Sequence, residues 1–235
     1  GWNVNLNPSV GSYAFDSAAY AGLRATGGGG EQVTLVPTGR PQNTLLNFSI
    51  ATPQYPGFTA SVGTTFGNDI DFFEASAVHR ADYSASLDLR PSDRLRVSAT
   101  YVSTSFTRQS DGAKIVSMRI PRVLIEYQLA RPLFVRVVSQ YTANVQQPLV
   151  DPVTGTTLFV SDGNGGFTPS TAQTANTLRA DFLISYRPNP GTVVFAGYGN
   201  SLTESDPLAF QQLRRTTDGY FVKLSYLFRT VRGAD

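Results

Sequence analysis

The chain has 235 residues and a formal net charge of +2. Only 15% of its residues are charged, against about 25% in an ordinary soluble domain. So small a net charge gives no footing for nucleic acid. With no Cys, disulfides and thiolate metal sites are excluded. No apolar run approaches the roughly 20 residues of a transmembrane helix. The length suits one all-β domain, 1–235. Gly1 leads straight into strand-like sequence without a signal peptide, so an exported protein would carry this as its mature or trimmed form.

Taken in order, Trp2, Val4 and Leu6 alternate with three Asn, a strand that Pro8 ends. Tyr13 and Phe15 open a second strand, whose alternation blurs through Leu23, before the glycine run 27–30. Leu46, Phe48 and Ile50 share one face of a third, and Pro53–Gly57 turns the chain into Phe58, Ala60, Val62, Thr64 and Phe66. Gly67–Arg80 reads as a polar connection. Tyr83, Ala85, Leu87 and Leu89 then form an apolar row, and Pro91–Asp93 a tight turn into Leu95, Val97, Ala99 and Tyr101. Val116, Met118 and Ile120 are apolar at even positions, Val123, Ile125, Tyr127 and Leu129 at odd ones. That slip of phase predicts a β-bulge at Pro121-Arg122. After the turn Ala130–Pro132 come Leu133, Val135, Val137 and Tyr141. Ala143–Ala175 is a long polar stretch with room for a small hairpin around Thr154-Gly155. Leu178, Ala180, Phe182, Ile184 and Tyr186 lead to Pro188–Gly191, a strand at Val193–Asn200 and a polar loop, Ser201–Thr217.

The last strand, Asp218–Arg229, is the clearest. Tyr220, Val222, Leu224, Tyr226 and Phe228 fall on one side, Lys223 and Ser225 on the other. An apolar face ending in aromatics is what an outer-membrane strand turns to lipid. The connections sort in the same sense. Short turns at 53–57, 91–93, 130–132 and 188–191 alternate with longer ones at 27–43, 67–80, 107–114, 143–175 and 201–217. Short turns on one rim and long loops on the other are the pattern of outer-membrane barrels. The expected fold is therefore an antiparallel up-and-down transmembrane β-barrel, or the C-terminal part of one. Short turns and the C-terminus would be periplasmic, in the outer membrane of a diderm bacterium. Leu87, Val97, Ile125, Val137, Ile184 and Leu224 should face lipid, with Tyr127, Tyr186 and Tyr226 near the periplasmic interface.

Stepping back from a periplasmic C-terminus gives about eleven strands, an odd number, whereas single-chain bacterial barrels have even numbers. The expectation is that upstream strands are missing, or that an upstream segment, a partner chain or a second copy covers the edge at Gly1.

Three stretches carry a family resemblance: Arg90–Val97 (RPSDRLRV), Arg119–Leu129 (RIPRVLIEYQL) with Leu133–Val138 (LFVRVV), and Asp218–Phe228 (DGYFVKLSYLF). Across roughly residues 58–230 the chain resembles the C-terminal barrel of a bacterial family of uncharacterised function. In that family a carbohydrate-binding-module-like domain precedes a predicted outer-membrane barrel. The resemblance implies a longer parent protein and brings no catalytic residues. Phe228 also resembles the terminal aromatic of the signal read by the outer-membrane insertion machinery, although Arg229–Asp235 runs past it.

The polar rows would face the lumen: Asp88, Arg90, Arg94, Arg96, Arg119, Arg122, Glu126, Arg136, Arg179, Asp181 and Lys223. They read either as a ladder of paired charges or as an anion-leaning pore lining. Three-residue turns at 91–93 and 130–132 would set Arg90 opposite Arg94, Asp88 opposite Arg96, Leu129 opposite Leu133 and Glu126 opposite Arg136. The one His, His79, with Ser76 or Ser84 and Asp71 or Asp82, has the composition of a triad that no spacing selects, and reads as a surface-loop residue. Asp162-Gly-Asn-Gly lacks the further acidic ligands of a calcium loop. Asp69, Asp71 and Glu74 read as a solvated acidic loop. No cofactor is expected. The function expected is a non-enzymatic anchor or scaffold in the outer-membrane lipid, part of a larger protein or complex. The alternative is a porin-like passive pore for small anions or sugars.

Overall fold

The computed structural model describes residues 1–227, so the expectations placed on Phe228 and on residues 229–235 lie outside the described residues. The chain is all-β. In order it runs β1 (Asn3–Ser12), a 3-10 turn (Ser17–Tyr20), β2 (Leu23–Thr26), β3 (Gln32–Thr34), β4 (Gln42–Ala51), β5 (Phe58–Asp71), β6 (Ser76–Ser92) and β7 (Leu95–Arg108). Then follow β8 (Lys114–Ala130), β9 (Leu133–Gln146), β10 (Phe159–Ser161), β11 (Phe167–Pro169), β12 (Gln173–Asn189), β13 (Thr192–Glu204) and β14 (Arg214–Tyr226). Ten strands make one antiparallel sheet in the order β1-β4-β5-β6-β7-β8-β9-β12-β13-β14, and β11-β10-β2-β3 make a small second one.

The count of eleven strands is corrected at Tyr13–Leu23. The Asp16 carboxylate accepts from the Ala18 N–H at 3.0 Å, and this cap starts a 3-10 turn instead of a sheet strand. Ten strands put both ends of the large sheet on one rim. Asn3 pairs with Ala51 beside the 52–57 turn, and Tyr226 pairs with Thr192 beside the 190–191 turn. The parity argument for a missing upward strand therefore falls. The sheet is nonetheless open. β1 and β14 are its two outer strands, and the described residues form no closed barrel.

Alternation fixes two faces. One continuous row runs Leu89, Val97, Ile125, Val137, Phe182, Tyr198, Tyr220 across seven neighbouring strands. The next rows carry Leu87, Ala99 and Val123, and Tyr127, Val135, Ile184, Ala196 and Val222. All six residues expected on the apolar face share it. Ring contacts Phe182–Tyr198 (6.2 Å) and Tyr198–Tyr220 (4.7 Å) tie the row together.

Four local expectations change. Pro8 does not end the first strand: β1 runs through it to Ser12, with Pro8 opposite Leu46, as an outer strand tolerates. Gly67–Arg80 is not a long connection, because β5 and β6 run on to a hairpin at residues 72–75 with Asp71 opposite Ser76. No bulge occurs at Pro121-Arg122. Tyr101 faces Pro121, and the ladder to β9 goes from Arg119↔Ala143 to Arg122↔Gln140 at an unchanged offset. Val116, Met118 and Ile120 thus share the polar face, and Arg119 lies on the apolar one. Proline's missing N–H is absorbed by skipped pairs, not by an extra residue. The turns at 93–94 and 131–132 are shorter than expected and carry register shifts at Leu89/Ser92 and Gln128/Ala130.

At the long-loop rim the connections form a small core of their own. Tyr20, Ala25, Leu35, Ala75 and Leu158 are buried together, drawn from the 13–41, 72–75 and 147–172 segments. β2 and β10, from the first and last of these segments, pair directly. The predicted hairpin around Thr154-Gly155 is present, with Val150 bridged to Thr157.

Where β4 pairs with β5, the backbone requires a glycine. Gly67 has φ +142° opposite Leu45, and a Cβ there would stand 2.1 Å from the Thr44 carbonyl oxygen. Gly67→Ala should therefore cost about 1–3 kcal/mol, read as a lowered urea midpoint. An unchanged midpoint would contradict the close approach.

Candidate functional site

Charged groups gather on the polar face and fall into three groups. Nearest the short turns, Asp88 lies opposite Ser98, two residues from the expected register, because the hairpin turns at 93–94 and a bulge at Leu89/Ser92 takes back one residue. The Asp88–Arg96 pair still forms, as a diagonal contact. Arg96 donates through Nε (2.9 Å) and Nη2 (2.7 Å) to Asp88 Oδ2, which also accepts from Ser98 Oγ at 2.6 Å. Arg90 Nε approaches Asp88 Oδ1 at 3.5 Å, and Arg94 sits in the 93–94 turn. Glu126 lies directly opposite Arg136, as expected, but its ion pair is with Arg96 at 3.8 Å. These contacts face solvent, which screens them, so each adds little to stability.

Further along the same face lies a cavity of about 690 Å³ lined by Arg122, Arg136, Arg179, Asp181, Leu124 and Val138 among others. The register explains the grouping. Arg122, Gln140 and Arg179 form one row across β8, β9 and β12, and Asp181 stands opposite Val138 in the next. Lys223 shares the face on β14, opposite Phe195.

The third group, at the long-loop rim, is one that sequence reasoning missed. Asp69, Asp71 and Glu74 are buried rather than solvated, with Glu74 only 1% exposed. Arg108, itself 4% exposed, donates to Glu74 through Nε (2.7 Å) and Nη2 (3.0 Å) and to Asp111 through Nη1 (2.7 Å). Glu74 also accepts from Ser76 Oγ at 2.7 Å and the Val150 N–H at 3.1 Å. A two-pronged guanidinium–carboxylate pair with its remaining lone pairs engaged is the geometry that lets charge be buried. It ties the 72–75 hairpin to the 109–113 and 147–172 connections. Beside it, Arg80 bridges Asp69 (2.9 Å) and Asp82 (2.6 Å). The signal was in the sequence as acidic residues followed by Arg108, but nothing in the spacing says that these pair.

Burial raises the Asp71 carboxyl to about 6, against the opposing pull of the Phe73 N–H and Arg108. The Ala113 N–H, with Arg108 beside it, holds Asp111 below its ordinary value. A carboxyl that takes its proton more readily in the folded state favours folding at low pH. Its contribution is lost as pH rises from about 4 to about 6, by up to about 3 kcal/mol. Asp71→Asn should flatten this dependence and raise stability at pH 7, as urea midpoints at pH 4 and pH 7 would show. Parallel pH profiles in the two proteins would contradict the assignment.

The triad that composition allowed is not assembled. His79 is on β6, not in a loop, and alternation sends it to the face opposite Ser76, Ser84 and Asp82. Asp71, paired with Ser76, is on that opposite face too. The Asp162 carboxylate accepts the N–H groups of Asn164 (2.8 Å) and Gly166 (2.9 Å), closing the β10–β11 turn. Among the described residues no group of three His, Asp or Glu is placed to hold a metal.

The arrangement defines an all-β protein whose large sheet has one charged, hollowed face and one uncovered apolar face. No family model, curated protein or solved structure matches the chain. The family resemblance drawn from residues 58–230 therefore stands on those residues alone.

Proposed function

We propose that the chain is an integral outer-membrane β-barrel protein of a diderm bacterium. On this reading it serves as a non-enzymatic anchor or scaffold in a larger protein or complex. The observation that carries it is the uncovered apolar face. Ile125 is 39% exposed, Ile184 48%, Val62 54%, Leu224 66% and Val222 77%. Ten strands at about 4.8 Å make a sheet roughly 48 Å wide, so an apolar band about 25 Å tall far exceeds the few hundred Å² that a soluble monomer exposes. Lipid is the solvent that such a face fits. Tyr127, Tyr186 and Tyr226 close to the short-turn rim suit the interfacial girdle, and the sorting of connections suits short turns in the periplasm.

In hydrocarbon, unpaired backbone groups cost several kcal/mol each. The reading therefore requires the free edges of β1 and β14 to be paired, with each other, with upstream strands, with a partner chain or with a second copy. The shared core of the 13–41, 72–75 and 147–172 segments favours an anchor over an open channel, because it packs polypeptide at one end of the polar face. The second reading, a passive pore for small anions or sugars, is favoured by the arginine-lined cavity.

The test is membrane fractionation after export in a diderm host, followed by planar-bilayer recording. The anchor reading expects resistance to carbonate extraction, heat-modifiable electrophoretic mobility and no steady conductance. A chain washed from membranes by carbonate would refute membrane integration. Stable single-channel steps would replace the anchor by the pore.

A further inference from the structure

The arginines of the polar face divide sharply by partner. Arg80 is paired with Asp69 and Asp82, Arg90 with Asp88, Arg96 with Asp88 and Glu126, and Arg108 with Glu74 and Asp111. Arg122, Arg136 and Arg179 have no carboxylate partner and no hydrogen bond among the described residues. They line the same cavity of about 690 Å³, within the range of small-ligand sites. Arg122 and Arg179 share one row two strands apart, so their backbones stand about 10 Å from each other with Gln140 between. Arg136 enters the cavity from four residues along β9. Two carboxylates line the cavity beside the three guanidinium groups: Asp181, and Asp218, which is ion-paired with Arg215 at 3.3 Å.

We infer that this cavity binds a small polyanion carrying two or more carboxylate or phosphate groups. Three planar forks, each able to hold an oxyanion through two N–H groups and none of them ion-paired, are arranged across a ligand-sized hollow. Spread over two strand spacings, they suit a ligand with separated charges better than a single monovalent ion. Leu124 and Val138 between them give the hollow an apolar floor, on which the carbon frame of an organic acid or sugar phosphate rests. Asp181 disfavours ligands with only one charge, since it competes for the nearest guanidinium. The inference rests on the membrane reading for the polar face being enclosed, and its test separates the two.

The test uses the full chain purified in detergent, with citrate and pyrophosphate as probes and a neutral disaccharide as control, by titration calorimetry at low and high salt. Citrate or pyrophosphate should bind saturably and more weakly at high salt, and the disaccharide should not bind. Arg122→Gln, Arg136→Gln and Arg179→Gln should each weaken binding about tenfold or more, and Arg→Lys at the same positions should restore part of it. Asp181→Asn should tighten it several-fold. Arg40→Gln, in the first long connection, should change nothing. Absence of saturable binding by both probes overturns the inference. So does undiminished affinity in the triple Gln variant with an unaltered circular dichroism spectrum. Heat-modifiable mobility of the same preparation reads membrane folding independently. A chain that folds as a barrel and binds no polyanion defeats this inference alone, and one that binds but never enters membranes defeats the membrane reading alone.

Discussion

Arg108→Met should destabilise the long-loop rim by about 3–5 kcal/mol, because it strands the buried Glu74 carboxylate without its cation. Glu74 holds the 72–75 hairpin, and through the Val150 N–H the 147–172 connection. The loss should therefore appear as faster amide exchange across those segments while the middle of the sheet keeps its protection. Removing both charges, in Glu74→Gln with Arg108→Met, should recover part of the loss. The coupling between the two changes measures the pair itself. A single-variant loss below about 1 kcal/mol would mean that water reaches the pair and that the rim is not held by it.

Ile125→Arg is the second large effect. Ile125 sits between Val97 and Val137 in the middle of the apolar face. If that face meets acyl chains, an arginine there costs about 2–4 kcal/mol and should reduce the folded yield in outer membranes. On a water-facing surface the same change would stay within about 0.5 kcal/mol. Ser84→Lys, opposite Gly63 and Val102 on the polar face, is the matched control and should be tolerated. Equal tolerance of both changes would remove the distinction between the faces.

Strands were legible wherever one face is continuously apolar. β4, β7, β9, β12 and β14 follow from alternation alone, because apolar side chains are held to every second position along that face. Beyond the apolar rows that constraint ends, and with it the signal. β5 and β6 continue as Gly67–Asp71 and Ser76–Arg80 on backbone pairing and on ion pairs such as Arg80–Asp69, without an apolar row, so their polar residues read as loop. The same reason explains Pro121. The apolar phase changes there without a bulge, because Val116, Met118 and Ile120 occupy the polar face at the long-loop end.

The site divides likewise. Asp88 with Arg96 and Glu126 beside Arg136 were legible because a turn links each pair at short range. The later turn at 93–94 and the bulge at Leu89/Ser92 together moved the first by two residues without changing its face. Glu74 with Arg108 was not legible, since their meeting depends on how three connections fold over one another. The three unpaired arginines were visible as a basic row, but only the register across β8, β9 and β12 gathers them around one cavity.

The most direct measurement of the central claim is accessibility of the apolar face in intact outer membranes. The chain has no Cys, so single cysteines at Ile125, Val137 and Leu224 report without background. A water-soluble maleimide should label them at least tenfold more slowly than cysteines at Ser110 or Gly163 in the long connections, and at equal rates after denaturation. Labelling of Ile125, Val137 and Leu224 in intact membranes as fast as the two loop positions would place that face in water and contradict the account.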